Sequence, residues 1–252
     1  MRYTYGDTAL AGERLKLVAD LFGQSSEAFL RATTPPAPDL AVDLGCGPGH
    51  TTRLVHAVTG ARRTVGLDRS AAFIATASSS RTPGVSFVEH DVTQTPLPVG
   101  TPDLAFARLL LAHLPDPTAL VRAWLSTLAI GGRLLLDEVE SVDTENPVMQ
   151  TYLREVAIPV ITNHGGRLLL GLSLHEMPDP PSARRVHDEV VTVLPPVAST
   201  ARMFGMNLRV LAGAGDIDPR PDLEEGLASL ASGETSGDQV VWRMRQIAFE
   251  RR

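Results

Sequence analysis

The sequence has little of several residue types, and each shortage narrows the class of protein. Cys46 is the single cysteine among 252 residues, so no internal disulfide can form and no cysteine pair can bind a metal. No run approaches the eighteen or so apolar residues of a membrane-spanning helix, and the amino terminus lacks the apolar stretch of a secretory signal. We therefore expect a cytoplasmic protein that folds in a reducing compartment and has no membrane contact.

Positive charge is also scarce. The formal net charge is −6, the basic residues are scattered, and Lys16 is the only lysine. A protein whose main partner is nucleic acid usually carries a basic patch or stripe. We therefore expect a small-molecule partner and no nucleic acid. The composition leaves monomer and homodimer both open, and the preference for arginine over lysine is typical of a GC-rich bacterial genome.

The chain length allows one full core with an insertion. Apolar residues at helical spacing predict a helix over residues 7–22 and a second short helix over 26–31. The proline-rich stretch "TTPPAP" then stops the helix and starts an extended segment. We therefore divide the chain into an amino-terminal helical segment, 1–38, and a core domain, 39–252.

The core domain alternates between strand and helix patterns. Five apolar segments, each followed by a helical pattern or a turn, predict strands: "LAVDLG", "RTVGLD", "VSFVEHD", "DLAFARLL" and "RLLLDEVE". Two later segments, "HDEVVTVLP" and "QVVWRMRQIAFE", predict closing strands. Helical crossovers favour a doubly wound, mostly parallel α/β sheet, here with seven strands. Ligands of such sheets bind beyond the carboxyl ends of the strands.

Residues 143–182 interrupt this alternation with apolar helical pieces. We interpret this insertion as a substrate cap that covers the ligand edge of the sheet before the closing strands. Because the stretch 147–174 has few charges, a cap made of it favours a hydrophobic or partly aromatic substrate. Ordinary core packing of an insertion explains the same composition equally well.

The stretch "VDLGCGPGH", residues 42–50, places three glycines directly after the first predicted strand. Gly45, Gly47 and Gly49 allow positive φ angles and a close approach of backbone to a ligand. A dinucleotide fingerprint needs its third glycine three residues after the second, where this sequence has His50. The loop therefore fits a dinucleotide poorly.

The same stretch resembles the first motif of class I S-adenosylmethionine-dependent methyltransferases, and the later strands agree with that family in order. The resemblance implies a Rossmann-like methyltransferase fold, in which the loop contacts the methionine moiety and sugar of S-adenosylmethionine. It implies that Asp68, which closes the second strand, accepts hydrogen bonds from both ribose hydroxyls, as one carboxylate can. It also implies that Asp91 and Val92 contact the adenine.

Two further segments share this resemblance. "YTYGD" is similar to a segment that folds over the cofactor in bacterial relatives, which makes the helical segment 1–38 a lid. Arg108 is a candidate for the methionine carboxylate, although an arginine that pairs with a structural acid would look the same. The predicted cofactor-binding residues are Tyr3, Tyr5, Asp43, Gly45, Cys46, Gly47, Gly49, Asp68, Arg69, Asp91, Val92 and Arg108.

Catalytic candidates are weaker, because an activated methyl donor needs mainly a well-placed nucleophile. His113 is the candidate general base, with helix capping as its alternative. His164, Glu138 and His175 also lie near the predicted pocket mouth. We predict no metal site.

We therefore predict methyl transfer from S-adenosylmethionine to an O, N or C atom of a small hydrophobic metabolite, with S-adenosylhomocysteine as the other product. Relatives of this kind serve bacterial specialised metabolism, including antibiotic biosynthesis. A cofactor-binding relative that performs a rearrangement or cyclisation, a macromolecule methyltransferase and a non-catalytic regulator stay open as alternatives, and a dehydrogenase is the remote one.

Overall fold

A computed structural model describes residues 4–233 and 238–252 of the chain. Within these residues a seven-stranded sheet has the order β3-β2-β1-β4-β5-β7-β6. The strands are β1 (Leu40–Leu44), β2 (Arg63–Asp68), β3 (Val85–Glu89), β4 (Leu104–Arg108), β5 (Arg133–Thr144), β6 (Ala183–Val193) and β7 (Val240–Arg251).

Strands β1 to β5 are parallel to one another, whereas β7 runs antiparallel to both β5 and β6. All five residues of β1 are buried, as expected of a central parallel strand that is covered on both faces. The sequence-based prediction of a doubly wound, mostly parallel seven-stranded sheet is confirmed.

Helices cover the sheet and fill its connections. They are α1 (Ala9–Thr33), α2 (His50–Thr59), α3 (Ala71–Ser78), α4 (Pro117–Thr127), α5 (Pro147–Tyr152), α6 (Ile158–Asn163), α7 (Gly171–Glu176), α8 (Val197–Ala214) and α9 (Pro221–Ser232). One 3₁₀ turn (Leu111–His113) precedes α4, and one π-helical turn (Leu153–Ala157) joins α5 to α6. None of the described helices is long and apolar enough to span a membrane.

The amino-terminal segment differs from the two helices predicted over 7–22 and 26–31. It forms the single helix α1, capped by Thr8, whose hydroxyl accepts the Ala11 amide at 3.3 Å. Phe22, Ser26 and Phe29 follow one another at helical spacing and are all buried, so the inward face continues through the predicted break. The helix ends at Thr33, two residues before the first proline of "PPAP".

The segment between β5 and β6 packs beside the sheet. Tyr152 of α5 stacks on Phe204 of α8 with ring centroids 4.2 Å apart. Both rings are buried in an apolar cluster that also receives Val18 and Phe22 of α1. The insertion therefore belongs to a core shared by α1, α5, α8 and α9.

Candidate functional site

A cavity of about 470 Å³ lies beyond the carboxyl ends of the parallel strands. Its walls come from the loop after β1, the residues that follow β2 and β3, the segment after β4, and one face of α1. The predicted cofactor residues that line it are Gly45, Cys46, Gly47, Asp68, Arg69, Asp91, Val92 and Arg108.

The glycine loop uses backbone conformations that favour glycine. Gly45 and Gly47 have φ angles of 70° and 50° and both line the cavity. Gly49 has a φ of 85° but serves as the N-cap of α2, outside the cavity wall. A Cβ atom at Gly49 would lie 2.7 Å from the Phe87 ring, so this glycine permits packing of α2 on β3.

Asp43 does not line the cavity, in contrast to its predicted direct contact with the cofactor. Its buried carboxylate accepts the hydroxyls of Thr51 and Thr52 at 2.7 Å each, both through Oδ2. Burial raises the pKa of this carboxyl more than the two hydroxyl bonds lower it, and the result is a pKa of about 6. Asp43 thus fastens the start of α2 beneath the glycine loop, and its influence on a ligand is indirect.

Asp68 ends β2 and faces the cavity. Its Oδ2 accepts the Gly47 amide at 2.9 Å and its Oδ1 accepts the Ser70 amide at 2.8 Å. Burial raises the pKa of this carboxyl, while the backbone bonds from Ser70 and Gly47 lower it. Each oxygen keeps a further acceptor position, and a pair of vicinal hydroxyls can use both.

Asp91 and Val92 lie at the next strand end and both line the cavity. Asp91 Oδ1 accepts the Thr93 amide at 3.0 Å and the Thr93 hydroxyl at 2.7 Å. Burial raises the pKa of Asp91, but these bonds and the charge of Arg69 give a net lowering. The Val92 carbonyl accepts the indole N–H of Trp124 at 2.8 Å, which anchors this loop to α4.

Arg108 reaches the cavity from the end of β4. Its guanidinium donates to the Ser26 hydroxyl at 3.2 Å, and Ser26 donates to Asp137 Oδ2 at 2.7 Å. Burial lowers the pKa of Arg108, while the charges of Asp137 and Asp43 raise it. Arg108 thus lies near two structural acids and also faces the cavity, and its binding of a methionine carboxylate stays a prediction.

Cys46 and Arg69 complete the predicted set on the cavity wall. Burial raises the pKa of the Cys46 thiol far above its usual range, so the thiol is protonated and unreactive. The charge of Arg69 acts to lower the pKa values of Asp68 and Asp91.

His113 lines the cavity within the 3₁₀ turn after β4. Burial, and after it the charges of Arg14, His164 and Arg69, together lower its pKa to about 3. The imidazole is therefore neutral at pH 7, and its conjugate acid is too strong for an efficient general base. The geometry keeps His113 at the site, but its pKa argues against the predicted catalytic role.

Tyr5 lies behind the cavity wall, whereas Tyr3 falls outside the described residues. The Tyr5 ring supports Arg14, whose guanidinium carbon lies 4.0 Å from the ring centroid. It also meets His113 edge-on, with ring centroids 5.8 Å apart. Because Arg14 and His113 both line the cavity, Tyr5 shapes it through these two neighbours.

The other predicted bases lie off the cavity wall. Glu138 is fully buried, and its Oε1 accepts the amides of Leu110 and Leu111 at 2.8 Å each. Burial raises the pKa of Glu138 to about 8. His164 Nδ1 contacts the Thr4 hydroxyl at 3.2 Å, and His175 Nδ1 contacts Asp188 at 2.8 Å.

No residue of the predicted cap, 143–182, is on the cavity wall. The composition of this segment therefore reflects core packing. It gives no support to the prediction of a hydrophobic acceptor. Sequence reasoning proposed the helical segment 1–38 as a lid but named no residue of α1 on the cavity wall, although the amphipathic pattern of this helix was the available signal. The missed lining residues include Arg14, Leu15, Val18, Ala19, His50, Phe73, His90, Leu109, Leu110 and Leu114.

Metal-binding side chains do not cluster in the described ranges: no group of three or more histidine, cysteine or acidic residues there could hold an ion. The polar groups of the cavity instead suit a nucleoside with an amino acid tail, because they offer acceptors for a diol and an amine and a guanidinium for a carboxylate. The fold and the site together define a nucleoside-binding α/β protein of the doubly wound type.

Comparison with known proteins narrows this class. Residues 42–136 match the sequence model of a family described as "Methyltransferase domain". The chain is 31% identical over 164 residues to trans-aconitate 2-methyltransferase of Methylobacterium radiotolerans, a match that covers 62% of each protein. The match thus spans less than two thirds of that relative's length. The match to trans-aconitate 2-methyltransferase of Methylobacterium nodulans spans 48% of the length of that enzyme.

Solved structures show the same fold. The YcgJ protein of Bacillus subtilis superposes with a TM-score of 0.59 at 16% identity, covering 91% of this chain and 99% of that one. A phosphoethanolamine N-methyltransferase of Haemonchus contortus gives 0.58 at 16% identity, covering 93% of this chain and 56% of that one. Residues 42–136 thus match a methyltransferase domain, and the chain shares its fold with these solved structures.

Proposed function

We propose that this protein transfers the methyl group of S-adenosylmethionine to a small-molecule acceptor. The observation that carries the proposal is that Asp68, Asp91 and Arg108, from three different strand ends, line one cavity with the glycine loop. A dinucleotide would need a pyrophosphate site on the α2 N-terminus, and His50 occupies the position of the glycine that such a site uses.

Each part of the cofactor has a partner in the cavity. Asp68 accepts the ribose hydroxyls, Asp91 accepts the adenine amine, and Arg108 binds the methionine carboxylate. The fit rests on acceptor positions left on Asp68 after the bonds from Gly47 and Ser70, and on the exposure of Arg108 to the cavity. When bound, the sulfonium supplies an electrophilic methyl group that needs no further activation.

The task left to the chain is to orient the acceptor and exclude water. The segment that precedes α1 contributes to closure, because Asp7 accepts the Ser70 hydroxyl at 2.8 Å and Thr4 contacts His164. These two contacts attach the amino-terminal segment to the residues that follow β2 and α6. This is the lid role proposed for residues 1–38.

The acceptor of the relatives named above is trans-aconitate, and we propose it as the first acceptor to test. A role in specialised metabolism and a cytoplasmic location stay predictions from the sequence. We also propose that the segment 143–182 is an inserted unit of the domain and that its role is core packing.

The test combines binding and transfer. Isothermal titration of the purified chain with S-adenosylmethionine and with NAD measures cofactor preference, and methyl-labelled S-adenosylmethionine with trans-aconitate or a small-molecule extract follows the label. We expect binding of S-adenosylmethionine alone, and label in the small-molecule fraction with formation of S-adenosylhomocysteine.

Asp91→Ala and Asp218→Ala form a matched pair for this test, since Asp91 lines the cavity and Asp218 is exposed elsewhere. We expect the first change to weaken S-adenosylmethionine binding and the second to leave it unchanged. Binding of NAD alone would contradict the proposal. Binding of S-adenosylmethionine without any transfer would favour the non-methylating alternative. Label confined to macromolecules would favour a macromolecule methyltransferase.

A further inference from the structure

The turn that follows β4, residues 109–114, forms one side of the cavity. Leu109, Leu110, His113 and Leu114 all lie on the cavity wall. The cofactor contacts proposed above come from the strand ends and the glycine loop, so they assign no role to this turn. We call it the β4 turn. Its backbone shape sets one boundary of the space that a cofactor can occupy.

The β4 turn begins in an unfavourable backbone conformation. Leu109 has a φ of 51°, which lies in the left-handed region that a leucine rarely adopts. Its amide donates to the Asp137 carbonyl at 3.0 Å. A residue in such a conformation persists only where its surroundings hold it there. Contacts with the rest of the molecule must therefore maintain the shape of this turn.

Glu138 of β5 supplies such contacts. Its Oε1 accepts the amides of Leu110 and Leu111 at 2.8 Å each, and the Ala112 amide also acts to lower its pKa. Glu138 is fully buried and does not itself line the cavity. One side chain behind the wall thus holds consecutive amides of the β4 turn.

Leu110 connects the β4 turn to the glycine loop. A Cβ atom at Gly45 would lie 2.6 Å from Leu110 Cδ1, so the Leu110 side chain lies directly against the Gly45 backbone. Both residues line the cavity. Because Glu138 holds the Leu110 amide, it also fixes the side chain that packs on the glycine loop.

The far end of the β4 turn is held by the segment after α6. The Ala112 carbonyl accepts the Arg167 amide at 2.8 Å, and Gly166 packs so closely on this carbonyl that a Cβ atom there would clash. These contacts do not reach Leu110. Near Leu110, the turn depends on the Glu138 acceptor.

The acceptor function of Glu138 needs no negative charge. Burial raises the pKa of Glu138 to about 8, so the carboxyl is protonated at pH 7. Its second oxygen, Oε2, is buried without a hydrogen-bond partner among the described residues. A glutamine has the same shape and also presents one carbonyl oxygen. The conservative variant Glu138→Gln therefore preserves the contact that matters here.

We propose that Glu138 is a positioning residue of the cofactor site and that it acts through Leu110, which it holds against Gly45. The inference rests on the proposed binding of S-adenosylmethionine. Without the Glu138 acceptor, two buried amides lose their partner, and the β4 turn must move to satisfy them. The cavity shape that fits the cofactor is then populated only part of the time, and the apparent affinity falls by that fraction.

The first experiment measures S-adenosylmethionine affinity by isothermal titration at pH 7. We expect Glu138→Leu to weaken binding about 10- to 100-fold, and Glu138→Gln to stay within about threefold of the wild type. Glu140→Leu is the matched control, because Glu140 lies on the same strand and accepts Arg245 Nε at 2.6 Å. It should bind as the wild type does. Unchanged affinity in Glu138→Leu, or an equal loss in Glu138→Gln or Glu140→Leu, would overturn the inference.

The second experiment tests whether Glu138 acts through Leu110. Leu110→Ala and the double variant with Glu138→Leu complete a double-mutant cycle on S-adenosylmethionine affinity. We expect the double variant to bind no more than about twofold weaker than the weaker single variant, since both changes remove the same support. Losses that multiply would show that Glu138 acts by another route and would overturn the inference.

Hydrogen exchange on the wild type decides if Glu138→Leu does not fold. If opening of the β4 turn abolishes binding, S-adenosylhomocysteine at 100 times its Kd should slow exchange of the Leu110 and Leu111 amides about 100-fold. Exchange that S-adenosylhomocysteine leaves unchanged would overturn the inference, while methyl transfer itself would stand. A wild-type chain that binds no S-adenosylmethionine would instead overturn the proposed function.

Discussion

The carboxylate of Asp68, at the end of β2, accepts the backbone amide of Gly47 at 2.9 Å. One acid thereby joins two strand ends, because Gly47 belongs to the loop that follows β1. The glycine loop is thus held in its conformation by the same residue that is proposed to bind the ribose.

Removing the Asp68 carboxylate should weaken cofactor binding. Asp68→Ala deletes both the proposed bonds to the ribose and the support of Gly47, so we expect a loss of about 1.5–3 kcal/mol in S-adenosylmethionine affinity. Isothermal titration measures this loss, with the exposed Asp218→Ala as its control. An affinity equal to that of the wild type would refute the assignment to the ribose.

Asp43 should act on folding through its two threonine hydroxyls. Asp43→Ala leaves the buried Thr52 hydroxyl and its neighbour Thr51 without this acceptor, so we expect a loss of about 2–4 kcal/mol in the free energy of unfolding. Asp43→Asn keeps one oxygen for both hydroxyls and should lose less than about 1 kcal/mol. Urea unfolding compares the two variants, and equal losses would show that the charge matters more than the bonds.

Glu138 should make stability depend on pH. Burial raises the pKa of this carboxyl from 4.5 to about 8, so the folded state keeps a proton that the unfolded state releases. The contribution of Glu138 to stability should therefore be largest below pH 4.5. It should fall as the pH rises from 4.5 to about 8. The total fall is on the order of a few kcal/mol.

Urea unfolding at pH 5 and pH 8 isolates this contribution through substitution. Glu138→Gln accepts the amides of Leu110 and Leu111 with its carbonyl oxygen and cannot ionise, so its stability should change less between these pH values than that of the wild type. The exposed Glu225→Gln serves as the control and should behave as the wild type does. An identical pH dependence in Glu138→Gln would refute the raised pKa.

His113 should be dispensable for proton transfer. Because its pKa lies near 3, the neutral imidazole gains almost nothing by accepting a proton at pH 7, and His113→Gln should keep kcat within a few fold. Its affinity for S-adenosylmethionine should also stay the same. A fall in kcat of a hundredfold or more, with the cofactor affinity unchanged, would restore the role of general base that the sequence suggested.

Much of the fold was accessible from the sequence, because its signals are local. The buried strands read as short apolar runs, and the alternation with helices required crossovers and hence a parallel sheet. The break predicted in α1 was wrong, since a helix with a continuous buried face tolerates Ser25 and Ser26. Ser26 is buried there because it bonds Asp137 and Arg108 on the sheet, 111 and 82 positions away in sequence.

The sequence by itself determined which residues stand at the strand ends, since strand period and turn chemistry place Asp68, Asp91 and Arg108 there. Only the tertiary structure decided which of the polar residues face the cavity. Asp43 and Asp68 both lie close to the glycine loop, but only Asp68 lines the cavity. The Asp43 carboxylate instead accepts the hydroxyls of Thr51 and Thr52 beneath the loop.

The tertiary structure also placed one face of α1 on the cavity wall. Arg14 is one arginine among many in the sequence, and its place on the cavity depends on Asn207, which lies 193 positions away. Burial sets the ionisation of His113 and Glu138 in the same way, because desolvation follows from packing and not from neighbours along the chain. Local patterns thus specify the sheet and its ends, whereas contacts between distant segments specify the chemistry of the site.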